Sequence, residues 1–300
     1  MGIDMDGFAT GASRLVRGWR AARDGLVSRI ATHCPMCGGP ATGGRPCPPC
    51  LDDVIATMCK GQPRCRRCAL RLPPGLAPCP DCARRPSPLA AVFAGFDYES
   101  PGDMLITRYK IELRYALAEP LADLILRTPG LSAEGEPDPS PARDAGQSPS
   151  LDADQSSSRL PGPCGYPPAL PPGTVLVPIP SSRASLRRRG FNPAGELARA
   201  LARRTGLPLR PHWLARGRDG PKQSTLSRED RLNVARDACV CPVAVPPCTV
   251  ALVDDVMTTG STLHAAALAL RAAGAASIIG LVAARAPADA GGVLAQYRLP

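Results

Sequence analysis

Val250-Ala-Leu-Val-Asp254-Asp255-Val-Met-Thr258-Thr259-Gly260-Ser261-Thr262 joins an apolar run to paired carboxylates and then to a turn of Thr, Gly and Ser. A short apolar run bounded by turn residues reads as a buried parallel strand over 250–253, and a helix over 261–273 follows it. Open α/β sheets bind their ligands at the carboxyl edge, where the two acids fall. Gly260 lets the backbone approach a ligand closely. The amides of Thr258, Thr259, Gly260, Ser261 and Thr262, with the hydroxyls and the helix dipole, can cradle a phosphate dianion. Asp254 and Asp255 are placed to accept hydrogen bonds from ribose hydroxyls or to hold magnesium through oxygen. A bare TTGST would be an ordinary turn, but the apolar run and the acids before it give the motif its context.

The surrounding sequence supplies the rest of such a sheet. Strands are predicted over 91–98, 175–179 and 278–283, and helical spacing of apolar residues over 104–126 and 192–204. Strands alternating with helices of this length indicate a parallel α/β sheet with helices on both faces. Hydrophobic residues make up 44% and charged residues 21% of the 300, enough for a sizeable core, but aromatic residues are only 4%, so that core is poor in rings. The formal charge of +10 is unevenly spread: 13 Lys/Arg against 4 Asp/Glu over 13–86, 14 against 5 over 174–240, and 2 against 6 over 128–173. Two basic blocks flanking an acidic one make phosphate or nucleic acid a candidate partner, beside the simpler reading of a solvated Arg-rich surface.

Upstream lies an internal repeat. Cys34-Pro-Met-Cys37 and Cys47-Pro-Pro-Cys50 return as Cys65-Arg-Arg-Cys68 and Cys79-Pro-Asp-Cys82. Two facing CxxC turns can supply four thiolates in a tetrahedron, and a segment with almost no apolar core has little else to hold it folded. Redox dithiols normally end a strand in a βαβ pattern, which is absent here. Two closed structural zinc ribbons are therefore expected, with sequential pairing the simplest and an interleaved pairing open. His33 and Cys59 stand near the repeat, each an available substitute ligand but more simply a bystander, and Cys164, Cys239, Cys241 and Cys248 receive no chemistry.

The chain divides into a tail with an amphipathic helix over 1–32, the double ribbon over 33–88, an α/β unit over 89–127 and 174–286, an acidic insert over 128–173 and a tail over 287–300. The insert, dominated by Pro, Ser, Asp, Glu and Gly, cannot bury enough apolar surface to order itself and is expected to be disordered. No apolar run reaches the ~18 residues of a membrane span, so no membrane insertion is expected. Asp4 and Asp6 stand where a signal peptide would carry positive charge, which points to the cytoplasm.

The stretch 250–262 resembles the phosphoribosyl pyrophosphate signature of type I phosphoribosyltransferases, and its pairing with a cysteine-rich N-terminal region resembles the ComF family of competence-associated proteins. Further matches are Val177-Pro-Ile-Pro180, Arg189-Gly-Phe-Asn192, and Gln223 followed by Leu226, Arg231 and Asn233, with a departure at Pro193, where Gln is expected. The resemblance implies a type I phosphoribosyltransferase-like sheet behind a zinc-ribbon domain. It places Ser181, Ser182, Arg183 and Arg189 near the pyrophosphate and implies a role in DNA uptake, or natural transformation, beside a helicase-like partner.

Two functions follow. The first is a glycosyltransferase-class enzyme, or a former enzyme, that binds phosphoribosyl pyrophosphate with magnesium and transfers phosphoribose to an unknown acceptor. The second is a non-catalytic adaptor for single-stranded DNA that keeps the phosphate pocket for regulation. Single-strand binding usually adds stacking rings to a cationic groove, and this chain has only 4 Phe, 5 Tyr and 2 Trp. A glutamine amidotransferase is excluded by Gly2, where the catalytic Cys would stand. A P-loop kinase is excluded because no GxxxxGK[ST] occurs.

Overall fold

The computed structural model describes residues 29–58, 63–84, 87–128, 131, 170–217 and 239–287. The helix expected before residue 29, nearly all of the acidic insert, Cys59, Cys164, the 218–238 stretch with Gln223, Leu226, Arg231 and Asn233, and the end of the chain from residue 288 lie outside these.

The first cysteine module is a hairpin, β1 (Ala31–His33) against β2 (Pro40–Thr42), followed by α1 (Pro48–Met58). The second carries one antiparallel bridge, Arg64 with Arg71, and a single helical turn, α2 (Pro80–Ala83). Next come β3 (Ala91–Asp97), α3 (Gly102–Lys110), a 3-10 turn (Tyr115–Leu117) and α4 (Ala118–Leu126). These are followed by β4 (Val175–Pro178), α5 (Arg183–Arg189) and α6 (Pro193–Thr205). A two-residue pair, β5 (Ala215–Arg216) with β6 (Cys239–Val240), precedes β7 (Thr249–Met257), α7 (Ser261–Ala272) and β8 (Ser277–Arg285).

The main sheet is parallel, in the order β3-β8-β7-β4, and the chain at Leu209 extends it by one bridge to Leu176 beyond β4. From β4 the chain passes through α6 outward to Leu209. From β7 it passes through α7 the other way to β8. The direction of winding therefore reverses between β4 and β7, and the crevice beyond their carboxyl ends is the topological switch point where such sheets bind ligands.

Alternate side chains leave a strand on opposite faces. Ala251 and Val253 join a core with α1, α3, α4 and α6, whereas Val250 and Leu252 join one with α7 and Val245. Leu, Ile, Val and Ala dominate both cores, and the buried rings among the described residues, Phe96, Tyr109 and Phe191, all lie in the first. Helix α6 buries Leu197, Ala198 and Leu201 at spacings of one and three, begins with Pro193 and stops at Gly206 in the left-handed region. Its outer face pairs Arg204 with Asp123 at 2.8 Å.

Two elements differ from their sequence-based expectation. The helical spacing over 104–126 is interrupted after Lys110, because Lys110 turns to an ion pair with Asp255 and the chain bends to seat Tyr115 against Phe191. The central strand does not stop at Val253 but runs to Met257, since β8 continues to pair with it through Val256 and Met257. The acids therefore lie within the strand. After the insert, the chain rejoins the fold at 170–174, immediately before Val175 and so at the amino edge of the sheet.

Candidate functional site

At the carboxyl edge, β7 delivers Asp254 and Asp255 and then the loop 258–262. Consecutive strand positions point to opposite sides. Asp255 is buried and meets Lys110 Nζ of α3 at 2.9 Å. Asp254, partly exposed, has its carboxyl pushed well above the ordinary range by burial and then by repulsion from Asp255. Its charge is also felt by Cys239, whose thiol is pushed up to about 11, mainly by burial in the α7-side core. Each carboxylate accepts the amide of the next residue, Asp255 N–H to Asp254 Oδ1 at 2.9 Å and Val256 N–H to Asp255 Oδ1 at 2.8 Å, which fixes both carboxyl planes.

Gly260 is the N-cap of α7, at φ +77°, in the left-handed region that side chains resist. First-turn amides have no acceptor inside their own helix, and Gly260 has no side chain to supply one. Thr259 Oγ1 donates to Ser261 Oγ at 3.1 Å, which holds two hydroxyls together beside those amides. Thr258 and Thr259 are exposed, so the loop opens to solvent.

The neighbouring strand contributes the second wall. After β4, Asn192 Nδ2 donates to Ile179 O at 2.9 Å and Asn192 Oδ1 accepts from Ser181 Oγ at 2.9 Å. Asn192 thus pins the 179–181 turn. Ser182 caps α5 by accepting from Ser185 N–H at 3.1 Å. The helix raises Arg183, Arg187 and Arg188 into solvent, with Arg189 half-buried. The sequence-predicted residues from both loops therefore share one crevice edge. Lys110 and Asn192 complete it. Asn192 belonged to a recognised motif, but nothing local to Lys110 signals a partner 145 positions away.

The cysteines gather as two separate sets, Cys34/Cys37/Cys47/Cys50 and Cys65/Cys68/Cys79/Cys82, with all sulfurs of a set within 4.8 Å of one another. The pairing is sequential. Separations of 3.7 Å for Cys37 to Cys47, 3.7 Å for Cys65 to Cys82 and 3.9 Å for Cys68 to Cys79 match the ~3.8 Å edge of a tetrahedron with ~2.3 Å metal–sulfur bonds. Amides already donate to sulfur, Cys47 N–H to Cys34 Sγ at 3.3 Å among them. The Cys65 thiol is lowered to about 5, chiefly by its hydrogen bond with Cys68, against burial. All-sulfur, closed sets of this shape fit structural zinc, and His33 stays outside them, its ring facing Gly38 O at 3.2 Å. Among the described residues no helix is long and apolar enough to cross a membrane.

No family model matches the sequence. The chain is 28% identical over 214 residues to the DNA utilization protein YhgH of Salmonella typhi, covering 71% of this chain and 80% of that protein. It is 29% identical over 223 residues to Competence protein F of Haemophilus influenzae, covering 73% and 83% respectively. A shorter match, 35% identical over 108 residues, joins it to Competence protein ComFC of Bacillus subtilis, covering 35% of this chain and 41% of that protein.

Proposed function

We propose that the chain is a member of the ComF family, that it binds phosphoribosyl pyrophosphate with magnesium at the β4/β7 crevice, and that it serves DNA uptake as a phosphoribosyltransferase-type protein. The supporting observation is the meeting, at the switch point, of an amide-rich helix start behind two acids with a pinned turn below an arginine helix. The 258–262 amides suit the 5-phosphate. Ser181, Ser182, Arg183 and Arg189 suit the pyrophosphate, and Asp254 and Asp255 the ribose hydroxyls or the metal. Oxygen donors of this kind fit magnesium, which usually keeps one or two carboxylates and the substrate's phosphates. When bound, the metal neutralises the leaving pyrophosphate.

In the reaction so read, an acceptor's lone pair forms the bond to the anomeric carbon as the bond to pyrophosphate breaks. Pyrophosphate departs with the electron pair, and the acceptor's proton is lost to solvent. The residues position and stabilise charge rather than react covalently. The two four-cysteine sets hold structural zinc, one ion each. Titration calorimetry with magnesium phosphoribosyl pyrophosphate tests the pocket: saturable binding is expected, and none in the wild-type protein overturns the reading. Gly260→Ala places a side chain at φ +77° and aims a methyl at Met257 Cε. The left-handed penalty of ~1–2 kcal/mol is expected to weaken that binding ~5- to 30-fold, and unchanged affinity counts against the loop.

One observation favours the adaptor reading alongside it. Tyr115 is 50% exposed and braced edge-on against Phe191 at 4.6 Å, and the chain before it exposes Ile111 and carries Arg108 and Arg114, both paired with Glu112. An exposed, braced ring suits a stacked base of single-stranded DNA handed on to a helicase-like partner. Tyr115→Ala is expected to cost ~1–3 kcal/mol of oligothymidine affinity by fluorescence anisotropy. Equal affinity removes this surface from the reading.

A further inference from the structure

The two four-cysteine sets are not equivalent in what they touch. The first reaches the main core through Val54 of α1, with Met36, Leu51 and Ile55, on the face away from α7. The second lies against β3: Val92 N–H donates to Arg66 O at 2.7 Å, and Arg64 and Arg71 both hold Asp97. Those contacts already dock it. A further connection runs past them to the phosphate loop.

Arg285, the last residue of β8, is 5% exposed. Its Nε donates to Cys68 O at 2.7 Å. Its Nη1 donates to Met257 O at 3.0 Å, Thr258 O at 2.5 Å and Ala286 O at 2.6 Å. One rigid guanidinium thus grips the backbone of a cysteine ligand and the two carbonyls that enter the loop 258–262. A lysine ammonium, a single point at the end of a flexible stem, cannot span both. The carbonyl it holds belongs to Cys68 itself, so whatever fixes that sulfur also fixes the far end of the bridge.

We propose that Arg285 couples metal occupancy of the Cys65/Cys68/Cys79/Cys82 set to the geometry of the 258–262 loop, so that the metal orders the anion-binding amides and an anion there tightens metal retention. Arg285 is a positioning residue. Coupling between two binding sites is reciprocal: the factor by which the metal improves anion binding equals the factor by which the anion improves metal binding. The first set, remote from Arg285, is the internal control. The anion half rests on the function proposed above, whereas the metal half requires no ligand.

Hydrogen exchange on the zinc-loaded, ligand-free protein tests the metal half. In Cys79→Ser, amides 258–263 are expected to exchange ~10-fold faster, while in Cys47→Ser they hold the wild-type rate. Arg285→Lys is expected to keep both zinc ions yet show the fast rate, and adding Cys79→Ser to it to accelerate nothing further, because contacts on one path are not additive. Wild-type rates in Arg285→Lys, or additive effects, overturn the coupling. Should that variant not fold, zinc transfer from the wild-type protein to a chromogenic chelator decides. With magnesium phosphoribosyl pyrophosphate bound, one of two zinc ions is expected to leave ~10-fold more slowly and the other at its usual rate. Equal release of both, with binding demonstrated, overturns the coupling. Absence of binding removes the pocket instead and leaves the exchange result standing.

Discussion

Asp254→Asn is expected to stabilise the free protein and Asp255→Asn to destabilise it, although each abolishes binding of magnesium phosphoribosyl pyrophosphate. The opposite signs follow from what each carboxyl meets. Asp254 sits in surroundings that disfavour its charge, while its Oδ1 accepts the Asp255 amide, a bond that asparagine keeps. Removing a charge held for ligand binding commonly returns ~0.5–2 kcal/mol, or several degrees of melting temperature for a chain of this size at ~2–4 °C per kcal/mol. Asp255 instead neutralises Lys110 at 2.9 Å, and its loss strands that ammonium. A fully buried pair would cost ~3–5 kcal/mol when broken. Lys110 keeps 23% of its side chain in solvent, so ~1–3 kcal/mol is expected here.

The pH dependence carries the same sign. A carboxyl whose folded value lies above its unfolded value binds its proton more tightly in the native state. The contribution of Asp254 to wild-type stability therefore falls as pH rises from ~4 through its raised value. In Asp254→Asn that fall is expected to flatten. Thermal melts between pH 4 and 8 read both effects, and a variant with the wild-type slope would show that Asp254 is not held in its neutral form.

Metal removal should act most strongly on the second cysteine set. Its own cluster comprises Leu70 and Leu72 with Cys65 and Cys79, and to the α7-side core it lends Ala69, with Cys68 packed against it. Structural zinc supplies ~10–16 kcal/mol to folds of this kind, far more than those side chains can replace. Elemental analysis is expected to return about two zinc per chain, one for each tetrahedral site. Cys79→Ser is expected to open 63–84 to limited proteolysis, whereas Cys47→Ser leaves α1 protected through Val54. Freshly purified, unchelated protein without zinc would refute the assignment.

The loop 258–262 and both cysteine sets were legible because each is local: an apolar run, a pair of acids and a glycine turn, or ligands three residues apart on a tight bend. Helices α6 and α7 were legible for the same reason, from local apolar spacing over 192–204 and 261–273. Other features depend on partners far along the chain. Helix α1 was missed because Pro48 and Pro49, which suit a helix start, sit inside a CxxC turn. The break after Lys110 was missed because apolar spacing continues through it, and only the distant Asp255 and Phe191 give the chain reason to turn. In the sequence Arg285 is simply the first charged residue after an apolar stretch. Its meaning arises only when β3, β7 and β8 lie side by side.

The chain re-enters through 170–174 at the amino edge, behind the sheet from the crevice. An epitope tag or fluorescent reporter spliced in ahead of Leu170 would join the described fold at that edge rather than at the mouth of the pocket, which suits labelled versions for tracking in living cells.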